Sequence, residues 1–302
     1  MHQKEKKESH DYYFPLYNLK NPLADIKVGF SIMQPFEKLP RQIRKLFLSH
    51  WENQYKINNE YITSKKNFLA FRKASAFLHI QVMANNWTDA IDQSHKLAET
   101  SVSILNFIYR WHFPILEGQF LSGDKIKGGN RVSHGYTGDY YYKHEPALNF
   151  IPEFEKEISI FTDILTNPKT RVDNKINNAL SIFSLQTSIS NEGTRYVLLA
   201  TCLESLLLDK NDRDYLRWRL AEKCAFLFMQ KRKEIYDKIK KTYDKRSSFV
   251  HGSGEPVSAA DLNDIQDIVV SILRRIVELR NQGFDTMEKI DEYITQEKFR
   301  ER

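Results

Sequence analysis

Apolar residues change their spacing near residue 152. Before it, short runs rich in β-branched and aromatic residues stand between polar stretches; after it, apolar positions recur at i, i+3, i+4 and i+7 almost without a break, the signature of one helix face. In the first half, "DIKVGFSIM" and "FLAFRKASAFLHIQVMA" predict strands, the second long enough for two strands or a hairpin. "RQIRKLFLSHWENQY" reads as an isolated amphipathic helix. Asn86-Trp-Thr-Asp89 opens another helix, with Thr88 or Asp89 as cap and Ala90, Leu97, Val102, Leu105 and Ile108 supplying apolar faces through about Trp111. The glycine- and tyrosine-dense stretch "GDKIKGGNRVSHGYTGDYYYKHE" predicts a loop with one β-segment and a surface for recognition.

In the second half the pattern predicts helices near 153–166, 170–189, 193–209, 213–231, 233–251 and 258–281, and a short or frayed one in 285–298. Pro168 separates the first from the second, because the residue before a proline disfavours helix. Leu199, Cys202, Leu203, Leu206 and Leu207 form one core-facing stripe, and Leu220, Ala221, Cys224, Ala225, Leu227 and Phe228 another. Leu262, Ile265, Val269, Ile272, Ile276 and Leu279 approach an a/d spacing, which buries either in a bundle or across a dimer seam. Short connections between long amphipathic helices imply antiparallel neighbours. The expected architecture is mainly α: a smaller α+β domain over 1–152, sensory or regulatory, followed by an antiparallel helical bundle over 153–302.

Composition narrows the classes. The two cysteines, Cys202 and Cys224, fall on apolar helix faces at a spacing that matches no metal pattern, so they read as small buried residues. The charged N-terminus lacks the apolar stretch of a signal peptide, and no apolar run approaches the roughly 20 residues that cross a bilayer; a cytoplasmic protein with no membrane partner is expected. The net charge of +6 permits an anionic partner. Its distribution says more. From Lys231 to Arg246, eight basic residues face three acidic ones, a net +5 within one helix.

That helix leads to Arg246-Ser-Ser-Phe-Val-His251, followed by Gly252. A guanidinium can clamp a phosphate and an imidazole can move a proton, which together suffice to cut RNA, since ribose carries its own nucleophile. The spacing alone is weak, because Arg44/His50 and Arg72/His79 satisfy the same loose pattern. On one regular helix five residues amount to about 7.5 Å of rise and about 140° of rotation, so Arg246 and His251 do not share a face. Gly252, Gly254 and Pro256 end the helix at or next to His251, which would let the imidazole swing from a frayed last turn.

Context separates this motif from the other two. "TCLESLLL", then "LRWRLAEKCAFLF", then "YDKRSSFVHG" resembles the helix order of the HEPN superfamily and its Arg-x4-6-His signature, most closely the ApeA-like branch, over roughly residues 170–281. The resemblance implies a metal-independent endoribonuclease of a prokaryotic defence or toxin type. It implies a homodimer that brings two motifs to one cleft, RNA as substrate, no cofactor, and control by a regulatory protein or a phage-derived trigger. It assigns Arg246 as phosphate clamp and His251 as general base or acid, with Glu204, the Glu of the family's "ALE-LL" helix, as the partner that holds Arg246. Ser247 departs from the Asn, Asp or His that many members carry after the Arg; it supports but does not titrate. Lys241, Tyr243 and Lys245 would extend the phosphate path. The alternative is a non-catalytic module of the same superfamily that binds RNA, a nucleotide or a partner protein.

Other candidates carry less. Gly123-Asp-Lys-Ile-Lys-Gly-Gly129 lacks the Lys-Ser/Thr of a phosphate loop. His134, Asp139 and His144 read as surface residues rather than metal ligands, and Tyr140-Tyr141-Tyr142 as an alternating β-segment.

Overall fold

The computed structural model describes residues 7–16, 19, 24–45, 76–111, 113, 121–122, 148, 151–209, 215–228, 231–252 and 256–300. These are mainly helical, with a small antiparallel sheet in the N-terminal half. The chain divides into two compact units: Met1–Ile108 with Phe113–Thr162, and Tyr109–His112 with Asp163–Arg302.

The first unit holds β1 (Glu8–Leu16), β2 (Ile26–Val28), β3 (Ser31–Pro35), β4 (Ala76–Ala84) and β5 (Leu121–Ser122), in the order β2-β3-β4-β1-β5. "DIKVGFSIM" forms the β2–β3 hairpin. Gly29 takes φ +57 in its two-residue turn, a conformation that suits glycine. Of the longer apolar run, the described part is the single strand β4, which pairs with β3 and, over nine residues, with β1. The sequence reading had not placed a strand at β1.

Helix α1 (Trp87–Tyr109) begins one step earlier than its expected caps: Asn86 Oδ1 accepts from Asp89 N at 2.9 Å, so Asn86 caps rather than Thr88 or Asp89. Phe14 of β1 meets His95 of α1 edge-on at 5.0 Å, and Phe107 meets Phe161 of α2 (Phe154–Thr166) at 5.0 Å. The hairpin turn is tied down by polar side chains, with Phe30 N donating to Ser101 Oγ and Gly29 N to Thr162 Oγ1.

The second unit is built from α3 (Arg171–Thr187), α4 (Glu192–Leu207), α5 (Leu216–Phe228), α6 (Arg232–Val250), α7 (Ala259–Asn281) and α8 (Met287–Phe299). Pro168 lies in the break before α3, which starts with a capping box between Thr170 and Asp173. Helix α7 starts with another, between Ser258 and Asp261, and stops in a Schellman turn: Phe284 N donates to Leu279 O, Gly283 N to Arg280 O, and Gly283 takes φ +97. Helix α4 packs against α3, α6 and α7, and its leucine and Cys202 stripe is buried throughout. Of the α5 stripe, Phe228 alone stays half-buried. Between the two alternatives for α7, the structure selects the bundle, because Leu262, Ile265, Val269, Ile272, Ile276 and Leu279 are all buried within this one chain.

Both thiols lie in the core; burial pushes Cys202 up to about 12 and Cys224 higher still, so neither is a nucleophile. Among the described residues no helix is long and apolar enough to cross a membrane.

Candidate functional site at the end of helix α6

Helix α6 is anchored at its C-terminal end by a close approach. The Phe249 ring lies so near Gly193, in the first turn of α4, that a Cβ built on Gly193 would fall 2.0 Å from Phe249 Cε2. Only glycine leaves room for the ring. Further back, Ile235, Ile239 and Thr242 are buried, and Thr242 hydrogen-bonds the Tyr196 phenol, whose pKa burial raises despite that bond.

Arg246 sits at the edge of this packed face. Its Nη2 lies 3.5 Å from Glu204 Oε2, with side-chain exposures of 29% and 22%. Burial raises the Glu204 carboxyl pKa, and the Arg246 charge only partly offsets it. Glu204 Oε1 and Arg246 Nε are buried and make no hydrogen bond among the described residues. Arg246 Cζ also lies 6.0 Å from the centre of the Tyr243 ring, one turn earlier on α6.

His251 takes a different direction. Helix α6 runs regularly to Val250, and His251 is its C-cap, with φ −87, ψ 3 and its N–H donated to Ser247 O at 3.1 Å; Gly252 then turns the chain at φ +71. The last turn is therefore hydrogen-bonded rather than frayed. His251 is exposed, and its imidazole has no bonded partner among the described residues. Tyr243, Ser247 and His251 follow one another at i, i+4 and i+8, so they share a face, while Arg246 is about 140° away from His251. A single helix brings His251 together with Ser247 and Tyr243, not with Arg246.

Two of the lysines differ as sharply. Lys241 is exposed and makes no side-chain hydrogen bond or ion pair among the described residues. Lys245 is turned to α7, where its Nζ lies 2.5 Å from Asp261 Oδ2; that bond, with those from Ser258, holds the Asp261 carboxyl down at about 2. Lys238 likewise meets Glu234 and Asp264. Part of the basic run thus stitches helices together, and its field is smaller than the formal charge.

Residues not singled out from the sequence complete the site. Tyr215, Arg217 and Trp218, at the start of α5, form with Tyr243, Asp244 and Ser247 an open groove of about 340 Å³. Tyr215 and Trp218 are 73% and 46% exposed and meet edge to face at 6.0 Å. Arg217 forms an ion pair with Asp244 and lies with its Cζ 5.2 Å from the Trp218 ring centre. The alternation in "YLRWR" was the available signal.

The remaining candidates belong to the first unit or lie outside the described residues. His79 lies in β4, its Nε2 2.8 Å from Asp11 Oδ1 and its ring stacked at 4.6 Å on Tyr13, whose pKa burial raises. His50, Arg72, Gly123–Gly129, His134, Asp139, Tyr140–Tyr142 and His144 lie outside the described residues. No family model matches the chain, and neither a curated protein nor a solved structure matches it.

Proposed function

We propose that this chain is a metal-independent endoribonuclease of the HEPN type, acting as a homodimer through an antiparallel bundle. The observation that carries the reading is the end of α6. There an exposed imidazole, His251, stands beyond a half-exposed guanidinium, Arg246, held in place by Glu204. Because the two point about 140° apart around one helix, the reading needs the α6 ends of two copies to meet about a two-fold axis, so that Arg246 of one and His251 of the other reach the same phosphate.

One imidazole then takes the 2′-hydroxyl proton, and the 2′ oxygen attacks phosphorus. The bond to the 5′ oxygen breaks, and that oxygen leaves with a proton from the second imidazole. The products are a 2′,3′-cyclic phosphate and a 5′-hydroxyl. Arg246 stabilises the charge that builds on the phosphorus oxygens. Control by a regulatory protein or a phage-derived trigger, in a defence or toxin setting, belongs to the same proposal.

The test is incubation of the protein with total RNA in the presence of chelator, followed by analysis of the ends. Cutting that leaves cyclic phosphates and falls about 10²- to 10⁴-fold in His251→Ala, and comparably in Arg246→Ala, is the expected result. Cutting that survives both substitutions overturns the assignment. The second reading, a non-catalytic RNA-binding module, is favoured by one observation: Ser247 stands beside an aromatic groove and cannot titrate. Binding without cut ends selects it.

A further inference from the structure

We infer that the groove between the start of α5 and the end of α6 is a stacking subsite for one unpaired base of single-stranded RNA. The inference rests on reading the α6 end as an RNA site and adds what that site selects.

Tyr215 and Trp218 present ring surface to solvent side by side, an arrangement that apolar packing does not require. Tyr215 holds a left-handed φ of +60, uncommon for a bulky residue. Tyr243 of α6 also lines the groove. The volume of about 340 Å³ lies at the low end of the roughly 300–1,000 Å³ range of ligand pockets, which suits one flat ring rather than a longer ligand.

Charge favours a nucleotide over an apolar peptide. Arg217 and Arg246 each lie over one of these rings. Asp244, the one carboxylate that lines the groove among the described residues, is paired with Arg217, whose guanidinium lies near Trp218. Aromatic faces beside cations are how proteins hold single strands, because every base has a π-face and every nucleotide a phosphate. Ser247 lines the groove, and His251 follows it one turn later on the same face. A base stacked on Trp218 would therefore leave its phosphate on the path toward the imidazole. A duplex keeps its bases stacked on one another and has none to offer.

The experiment uses the full chain and a short single-stranded RNA with methylated 2′-hydroxyls, so that it is not cut, carrying one 2-aminopurine. Affinity is read by anisotropy and stacking by quenching of the 2-aminopurine, with the same sequence as a duplex for comparison. The wild type is expected to prefer the single strand and to quench. Trp218→Ala and Tyr215→Ala are each expected to weaken single-strand binding by about 5- to 100-fold and to relieve quenching, while Trp218→Phe retains most of both. The proposal is overturned by a wild type that does not bind the strand, by unchanged affinity in the two alanine variants, or by an equal loss on duplex. Cleavage of unmodified RNA by the wild type and by His251→Ala is scored in parallel. Loss of binding in Trp218→Ala with no cutting by the wild type supports the subsite and sinks the nuclease. Unchanged affinity with His251-dependent cutting does the reverse.

Discussion

Two ion pairs in the helical unit, Asp173–Arg280 and Glu204–Arg246, each join a carboxylate to an arginine and differ in how completely they are satisfied. Asp173 is fully buried; Arg280 Nε donates to its Oδ1 at 2.8 Å, and the backbone N–H groups of Lys169 and Thr170 donate to its Oδ2 at 2.8 and 3.0 Å. Burial works against that charge, but the Arg280 and backbone hydrogen bonds outweigh it, and the carboxyl pKa is lowered. Glu204 has a single contact at 3.5 Å, an oxygen with no hydrogen bond among the described residues, and a raised pKa. In the first pair both carboxylate oxygens are satisfied, by the backbone at the start of α3 and by Arg280 of α7. The second holds Arg246 and leaves capacity over, which is what a phosphate-binding guanidinium requires.

The comparison breaks most visibly at Asp173. Asp173→Ala leaves the largely buried Arg280 charge with only the more distant Asp163 carboxylate, 3.9 Å away, and removes the Asp173 half of the capping box of α3, so a loss of about 3–5 kcal/mol and a fall in Tm on the order of 10 °C are expected. Glu204→Ala is expected to cost much less, since only one long contact is lost and Arg246 is already 29% exposed. Thermal unfolding of the two variants side by side is the measurement. Equal losses would remove the distinction between a structural and a functional pair.

The next effect in size concerns what fixes the Arg246 end of α6. Gly193→Ala places a methyl where the Phe249 ring lies, so either the ring or the helix end must move. A loss of about 1–3 kcal/mol is expected, together with weaker RNA cleavage, and Phe249→Ala on that background should recover stability relative to simple addition of the two changes. Strict additivity in thermal unfolding would show that the contact does not hold α6 in place.

The sequence disclosed what local periodicity can disclose. The α4 and α7 stripes were legible because each buries one helix face, and Pro168 with Thr170 marked the start of α3. Strand β1 was not, because "ESHDYYFPL" mixes charged, aromatic and proline residues, and its burial comes from pairing with a strand some seventy residues away. At the site, Glu204 was paired with Arg246 through the resemblance of "CLESLL" to a family helix, and the two side chains lie 3.5 Å apart. The partner of Lys245 did not, because Asp261 belongs to the cap of another helix. The groove was hidden for the same reason: nothing in "YLRWR" says that Trp218 and Tyr215 stay exposed beside Tyr243 and Ser247 of α6.

The smallest effect is the most discriminating, because the two carboxylates respond to pH with opposite sign. The folded-state pKa of Asp173 is lowered, so its contribution to stability is present above the unfolded value, about 3.9, and is lost as pH falls through the folded one. That of Glu204 is raised, so its contribution is fully present below the unfolded value, about 4.3, and is lost as pH rises through the folded one. Above its folded pKa the ionised Glu204 is thus a net cost. Glu204→Gln should stay within about 1 kcal/mol of the wild type at pH 7, and the wild type should gain stability relative to it on acidification toward pH 4. Cleavage should nevertheless fall by about tenfold or more, because an amide cannot hold the Arg246 guanidinium by charge, and small misplacements of a catalytic group are expensive. Tm against pH, measured with cleavage on the same preparations, separates the two cases. If Glu204→Gln instead destabilises the fold as Asp173→Ala does while cutting RNA normally, Glu204 is a structural residue and the pair it forms says nothing about the site.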